Sequence, residues 1–155
     1  MPDLAVGDIA PDFDLPSDQD PSVSLTSFAG KTVVLYFYPR DDTSGCTKEA
    51  IGFTEKSKDF AQANAVVLGV SKDTVTKHGK FREKYKLGVP LLSDAESDLC
   101  ERYGVWVEKK MYGKTHMGIE RATFLIGPDG KIARIWRKVK VPGHVDAVLG
   151  AIKGG

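Results

Sequence analysis

Cysteine is scarce in this chain: two in 155 residues, at positions 46 and 100. Two thiols cannot build the disulfide framework of a small secreted domain, so the fold must rest on an apolar core and both are expected as free thiols at rest. Long hydrophobic runs are missing too. No stretch reaches the roughly 18 apolar residues of a transmembrane helix. Neither sign of charge is in excess, with 22 Lys and Arg against 21 Asp and Glu and a formal net charge of +1. Such a chain has no bulk field to attract nucleic acid or an anionic membrane surface, so any recognition is local. Its three histidines, His78, His116 and His144, stand apart. They have no metal-ligand spacing among themselves or toward the cysteines, so no metal or other cofactor is expected, and they read as surface or loop residues. There is no internal repeat, low-complexity tract or linker. The opening Met1-Pro2-Asp3-Leu4 lacks the basic start and apolar stretch of a signal peptide, which makes the cytoplasm the expected location.

What is present is ordinary in amount, 41% apolar and 28% charged residues, and informative in arrangement. Residues 1–155 read as one domain. Thr32–Tyr38 is β-branched and aromatic throughout, the pattern of a central strand buried on both faces, and Pro39 ends it. A short extended piece is expected earlier, at Phe13–Leu15. After a polar loop, a helix is expected from about Cys46 to Asn64, with Phe53, Ser57 and Phe60 on one face. Ala65–Val70 is a second buried strand, Thr74–Tyr85 a charged helix, Val89–Leu92 a short strand and Ser97–Tyr103 a short helix. Ala122–Ile126 and Lys131–Trp136 flank Gly127-Pro128-Asp129-Gly130, which predicts a hairpin. Val145–Ile152 closes the chain as a helix. Parallel crossovers followed by an antiparallel hairpin and a helix describe an α/β, thioredoxin-like fold with a central mixed sheet flanked by helices. Val107–Lys114, basic with one aromatic, reads as a solvated loop rather than a nucleic-acid contact. Trp106 and Trp136 read as packing residues.

Cys46 follows the first buried strand and opens a helix. The first turn of a helix offers free N–H groups and about half a positive charge, and both favour a thiolate. Cysteines in such places become nucleophiles, although a buried inert thiol is the commoner fate of a cysteine taken at random. The neighbours separate the two. Pro39-Arg40-Asp41-Asp42-Thr43-Ser44-Gly45-Cys46 has the spacing P-x-x-x-T-x-x-C, which resembles the signature of the peroxiredoxins. Tyr36-Phe37-Tyr38-Pro39, Cys46-Thr47-Lys48-Glu49-Ala50, Leu91-Leu92-Ser93-Asp94, Tyr103-Gly104-Val105-Trp106 and Gly118–Ile126 are similar to the bacterioferritin comigratory protein, or peroxiredoxin Q, group. So is Gly7-Asp8-Ile9-Ala10-Pro11-Asp12-Phe13. Ser44 departs from that group, which usually has Pro there.

The resemblance implies an antioxidant peroxidase that reduces hydrogen peroxide and organic hydroperoxides through a cysteine sulfenic acid. Cys46 would be the attacking thiolate, and Thr43 would offer its hydroxyl to the thiolate and the peroxide. Arg121 would stabilise both, and Pro39 would shield the pocket and shape the loop. Without the resemblance, Thr43 reads as a helix cap and Arg121 as an exposed charge. Raising the thiolate fraction alone is a weak device. A thiol of pKa about 8.5 is already roughly 3% ionised at pH 7, and nucleophilicity falls as pKa falls. The larger gain must come from donors aimed at the leaving oxygen.

Relatives often carry a resolving cysteine five residues after the nucleophile or in the following helix. Here the first position is Ile51, and Thr74–Tyr85 contains no cysteine. Only Cys100 remains, within an apolar segment that reads as a buried inert site. A one-cysteine peroxidase regenerated by thioredoxin or another external thiol is therefore expected, as a monomer or weak homodimer with no nucleic-acid or membrane partner. A thioredoxin-like disulfide exchanger is excluded, because Thr43 stands where C-x-x-C needs its first cysteine. A non-catalytic thiol redox sensor or chaperone module is the alternative, separated from a peroxidase by turnover.

Overall fold

The computed structural model describes residues 4–153. Thr32–Phe37 forms β3, the middle strand of a five-stranded sheet. Two short N-terminal strands, β1 (Asp14–Leu15) and β2 (Val23–Ser24), pair antiparallel outside that sheet. β4 (Ala65–Ser71) runs parallel to β3, and β5 (Leu91–Ser93) parallel to β4. β8 (Ala122–Ile126) lies antiparallel on the other side of β3, and β9 (Ile132–Trp136) antiparallel to β8. The sheet order is thus β5-β4-β3-β8-β9, the mixed thioredoxin-like arrangement expected. Gly130, at φ 82°, supplies the left-handed residue that the β8–β9 turn requires.

Alternation along β3 divides the interior. Val33, Leu35 and Phe37 join one apolar cluster, with Phe124, Leu99, Cys100 and Tyr103. Val34, Tyr36 and Tyr38 join another, with Cys46, Phe53, Phe60, Phe81 and Val148. The second face is covered by α1 (Ser44–Glu55), α2 (Ser57–Gln62), α3 (Val75–Tyr85) and α5 (His144–Lys153). α4 (Leu99–Arg102) and the N-terminal segment cover the first. Tyr36 stacks on Phe53 with ring centres 4.7 Å apart, which seats α1 against β3; losing such a buried ring costs about 3–5 kcal/mol.

Three expectations differ from the structure. The single helix over 46–64 is two, interrupted at Lys56, so Phe53 and Phe60 are buried while Ser57 is exposed. The loop at 107–114 is a hairpin, β6 (Trp106–Met111) with β7 (Lys114–Ile119). Its turn residues Tyr112 and Gly113 have φ of 54° and 75°, the two-residue turn whose twist suits a hairpin. Charge at Glu108, Lys109 and Lys110 hid it, because a two-stranded ribbon in water needs no apolar face. Finally, His78 and His144 are buried and only His116 is exposed. Among the described residues, no helix is long and apolar enough to cross a membrane.

Candidate active site

β3 ends at Phe37, and the chain turns through residues 38–43 into α1. Thr43 occupies the N-cap in extended conformation, with φ −93° and ψ 159°. Cys46 therefore stands in the first turn of α1, where backbone N–H groups have no intrahelical acceptor. Its side chain is 1% exposed.

Arg121 immediately precedes β8, the strand beside β3. From there its guanidinium forks. Nη2 donates to Cys46 Sγ at 3.3 Å, and Nη1 donates to Glu49 Oε1 at 2.7 Å. Burial disfavours the Arg121 charge, but Glu49 and Cys46 outweigh it and hold the guanidinium protonated. Glu49 is fully buried, three residues after Cys46 on the same helix face. Burial pushes its carboxyl up to about 7 against the pull of Arg121. Its second oxygen and the hydroxyl of Tyr36 are buried without hydrogen-bond partners among the described residues. A second cation stands close by. Lys109 Nζ donates to the carbonyl of Ile119 at 2.6 Å, two residues before Arg121. Burial and the charge of Arg121 both hold Lys109 below the ordinary lysine range.

The structure thus brings Arg121 onto Cys46. It does not place the Thr43 hydroxyl on the sulfur. Thr43 is exposed, and Oγ1 donates to the carbonyl of Arg40 at 3.0 Å. The physical reason is local: from the N-cap, the carbonyl three residues back is in easy reach, and the hydroxyl closes the loop. Pro39 is half-buried at the start of that loop.

Three participants were not read from the sequence. Glu49 could have been found from its i,i+3 relation to Cys46. Gly45 could not: a Cβ there would lie 3.0 Å from Arg121 Nη2, so its lack of a side chain lets the guanidinium in. Asp41 is 3% exposed in a loop that reads as polar, and it accepts a hydrogen bond from Tyr38 Oη at 2.6 Å.

Cys100 lies on the opposite face of the sheet, 0% exposed. Burial, with Asp94 adding to it, drives its thiol far above the ordinary range.

Residues 6–135 match the model of the AhpC/TSA family. The putative peroxiredoxin bcp of Coxiella burnetii is 51% identical over 149 residues, 96% of this chain and 99% of the relative. Peroxiredoxin Bcp of Bacillus subtilis is 48% identical over 150 residues, 97% and 96% of the two chains. Among solved structures, the Xanthomonas campestris bacterioferritin comigratory protein, studied for its alkyl peroxide reduction activity, superposes with a TM-score of 0.87. It is 44% identical, over 92% of this chain and 90% of the other.

Proposed function

The chain belongs to the AhpC/TSA family, in the Bcp or peroxiredoxin Q group of thiol-dependent peroxidases, and from that premise we propose that Cys46 is its peroxide-attacking nucleophile, with Arg121 as the principal donor to the reacting atoms. The observation that carries this reading is the 3.3 Å contact of Arg121 Nη2 with Cys46 Sγ at a helix start.

The thiolate of Cys46 attacks one oxygen of the hydroperoxide. An S–O bond forms, the O–O bond breaks, and the departing oxygen takes a proton to leave as water or an alcohol. Charge develops on that oxygen as the bond breaks. Arg121 and the free N–H groups of the first turn of α1 are preorganised donors for it, and such groups supply the largest share of catalysis in sites of this kind. Glu49 holds Arg121 in place through Nη1 and leaves Nη2 for the sulfur. Pro39 shields the site from water and Thr43 closes the loop. The sulfenic acid on Cys46 is then attacked by an external thiol, water leaves, and a second thiol releases Cys46 as the reductant becomes a disulfide. Thioredoxin is the reductant of this reading, with a small thiol as substitute.

Cys100 takes no part. It lies in the other core, behind the sheet, whereas a disulfide requires Cα atoms within about 7 Å. On this reading the active species is a monomer or weak homodimer. The test is mass spectrometry after one equivalent of peroxide, paired with steady-state turnover. The expected results are a dimedone adduct at Cys46, no Cys46–Cys100 bridge, and repeated peroxide consumption with an external thiol. Oxidation without turnover would make the chain a sensor, and a rapid intramolecular bridge would make Cys100 the resolving residue.

A further inference from the structure

The loop that carries Cys46 is tied down at a point the peroxide chemistry does not use. Asp41 lies within this loop and His78 is the fourth residue of α3, 3% and 0% exposed. His78 Nδ1 is 2.6 Å from Asp41 Oδ2, and Nε2 is 2.9 Å from the carbonyl of Leu92. A carbonyl only accepts, so Nε2 carries a proton. Nδ1 and Oδ2 are both acceptors unless one holds a proton, so at 2.6 Å they share one. Tyr38 Oη donates to the other oxygen of Asp41 at 2.6 Å. The Asp41 backbone N–H donates to Asp73 Oδ2 at 2.7 Å, and Asp73 is fixed in turn by Ser71 Oγ at 2.8 Å and Lys77 Nζ at 3.2 Å. Ligand-type atoms of Asp41, Asp73 and His78 come within 4.8 Å of one another, but they are spent on each other and on the backbone. The next residue is held from the same helix. Asp42, at φ 61°, accepts from Tyr85 Oη at 2.6 Å and Lys84 Nζ at 2.8 Å.

Burying a carboxylate is strongly unfavourable unless it is paired and hydrogen-bonded. At Asp41 the compensation comes from His78 on one carboxylate oxygen and from Tyr38 on the other. Resting on the reading of Cys46 as the nucleophile, we propose that His78 is a positioning residue: through Asp41 it holds residues 41–46 folded so that Cys46 stays in the first turn of α1, opposite Arg121. His78 touches neither sulfur nor substrate. Only two residues separate Asp41 from Ser44, where α1 begins, and at no more than about 3.6 Å per residue they allow little slack. A loop released at Asp41 lets the first turn of α1 open, and Cys46 leaves Arg121.

Two variants isolate the contact. In His78→Asn the side-chain amide stands where Nδ1 stands and still donates to Asp41. In His78→Gln the amide reaches toward Leu92 and leaves Asp41 without its proton. Both remove the ring, so a purely structural role predicts equal rates at equal stability. The positioning role predicts that His78→Asn keeps the second-order rate constant for peroxide within about threefold, while His78→Gln loses roughly ten- to a hundredfold, the scale of a misplacement of about 1 Å. His78→Gln should also raise the midpoint of the pH–rate profile and speed alkylation of the resting protein at Cys46. Equal rates and pH profiles for His78→Asn and His78→Gln, measured well below both melting transitions, would overturn the proposal. So would a wild-type rate in His78→Gln. Substantial turnover in Cys46→Ser would instead remove the reading of the site on which the proposal rests.

Discussion

Cys46 and Cys100 are equally hidden from water, at 1% and 0% exposure, and both stand at the start of a helix. Their surroundings differ in what the helix-start amides are given to. At α4, the backbone N–H of Leu99 donates to Asp94 Oδ1 at 3.0 Å and that of Cys100 to Asp94 Oδ2 at 2.8 Å. A carboxylate has taken both donors and adds its own negative charge beside the sulfur. Lys72 pulls the other way, yet it is committed to Asp94 at 3.1 Å and Glu101 at 2.8 Å. At α1 no side chain caps the first turn, and the nearest charge to the sulfur is the guanidinium of Arg121. A helix start does not by itself make a reactive cysteine. It does so when its donors are left free and a cation, not an anion, faces the thiol.

The comparison breaks most completely at Cys46 itself. Cys46→Ser keeps the shape but cannot ionise near neutral pH, and peroxide consumption should disappear while the circular dichroism spectrum and melting transition persist. Appreciable turnover in this variant would move the chemistry elsewhere in the chain. Arg121→Met comes next. It keeps the stem and removes the donor, and the rate should fall roughly 10²–10³-fold, as for loss of one oxyanion-type donor. The fold should survive, since Glu49, already raised to about 7, takes a proton when its partner goes. A variant in which only the pH midpoint moved, with the plateau rate unchanged, would reduce Arg121 to a charge neighbour.

Glu49→Gln sharpens the electrostatic side. The native protein holds the Glu49 proton up to about pH 7, while an ordinary carboxyl near 4.5 has released it. The folded state binds the extra proton, so this residue's contribution falls as pH rises from about 4.5 to 7. His144 does the opposite. Burial holds it down to about 4 against 6.5, so the folded state gains from His144 as pH rises through that interval. Glutamine still accepts from Arg121, so Glu49→Gln should be more stable than wild type at pH 8 by on the order of 1–3 kcal/mol, with a smaller difference at pH 5. Denaturant titrations at the two pH values measure this, and an equal difference at both would contradict it. The smallest effect belongs to Cys100→Ser. A buried hydroxyl costs on the order of 1–3 kcal/mol of stability, but peroxidase turnover with an external thiol should match wild type. Easier overoxidation of Cys46 in this variant would show that Cys100 had been resolving the sulfenic acid.

Much of this was legible before the coordinates. The apolar run at 32–38 has no polar face to give to water, so it had to be a central strand. The turn tetrapeptide Gly127–Gly130 fixed the hairpin after it, and the spacing of Pro39, Thr43 and Cys46 singled out Cys46 as the candidate nucleophile. The β6–β7 hairpin was not legible, because its strands carry charge on both faces and its register comes from a turn and from pairing with each other. Glu49 was on the page as one acidic residue among 21 Asp and Glu. Nothing local announces that a helical carboxylate will be buried, because that depends on where β8 delivers Arg121.

Local pattern determined the five strands of the central sheet, the order of the main helices and the absence of a second thiol in α1 and α3, and with the family resemblance it pointed to Cys46 as the candidate nucleophile. These follow from side-chain periodicity and from residue identity at one position, which the chain carries wherever it folds. The tertiary structure decided the rest. It turned the Thr43 hydroxyl to Arg40, set Cys100 behind the sheet, and paired Asp41 with His78 across 37 positions. Each is a meeting of groups distant in sequence or a choice between nearby acceptors, and burial and charge settle such choices only once the sheet has brought the groups together.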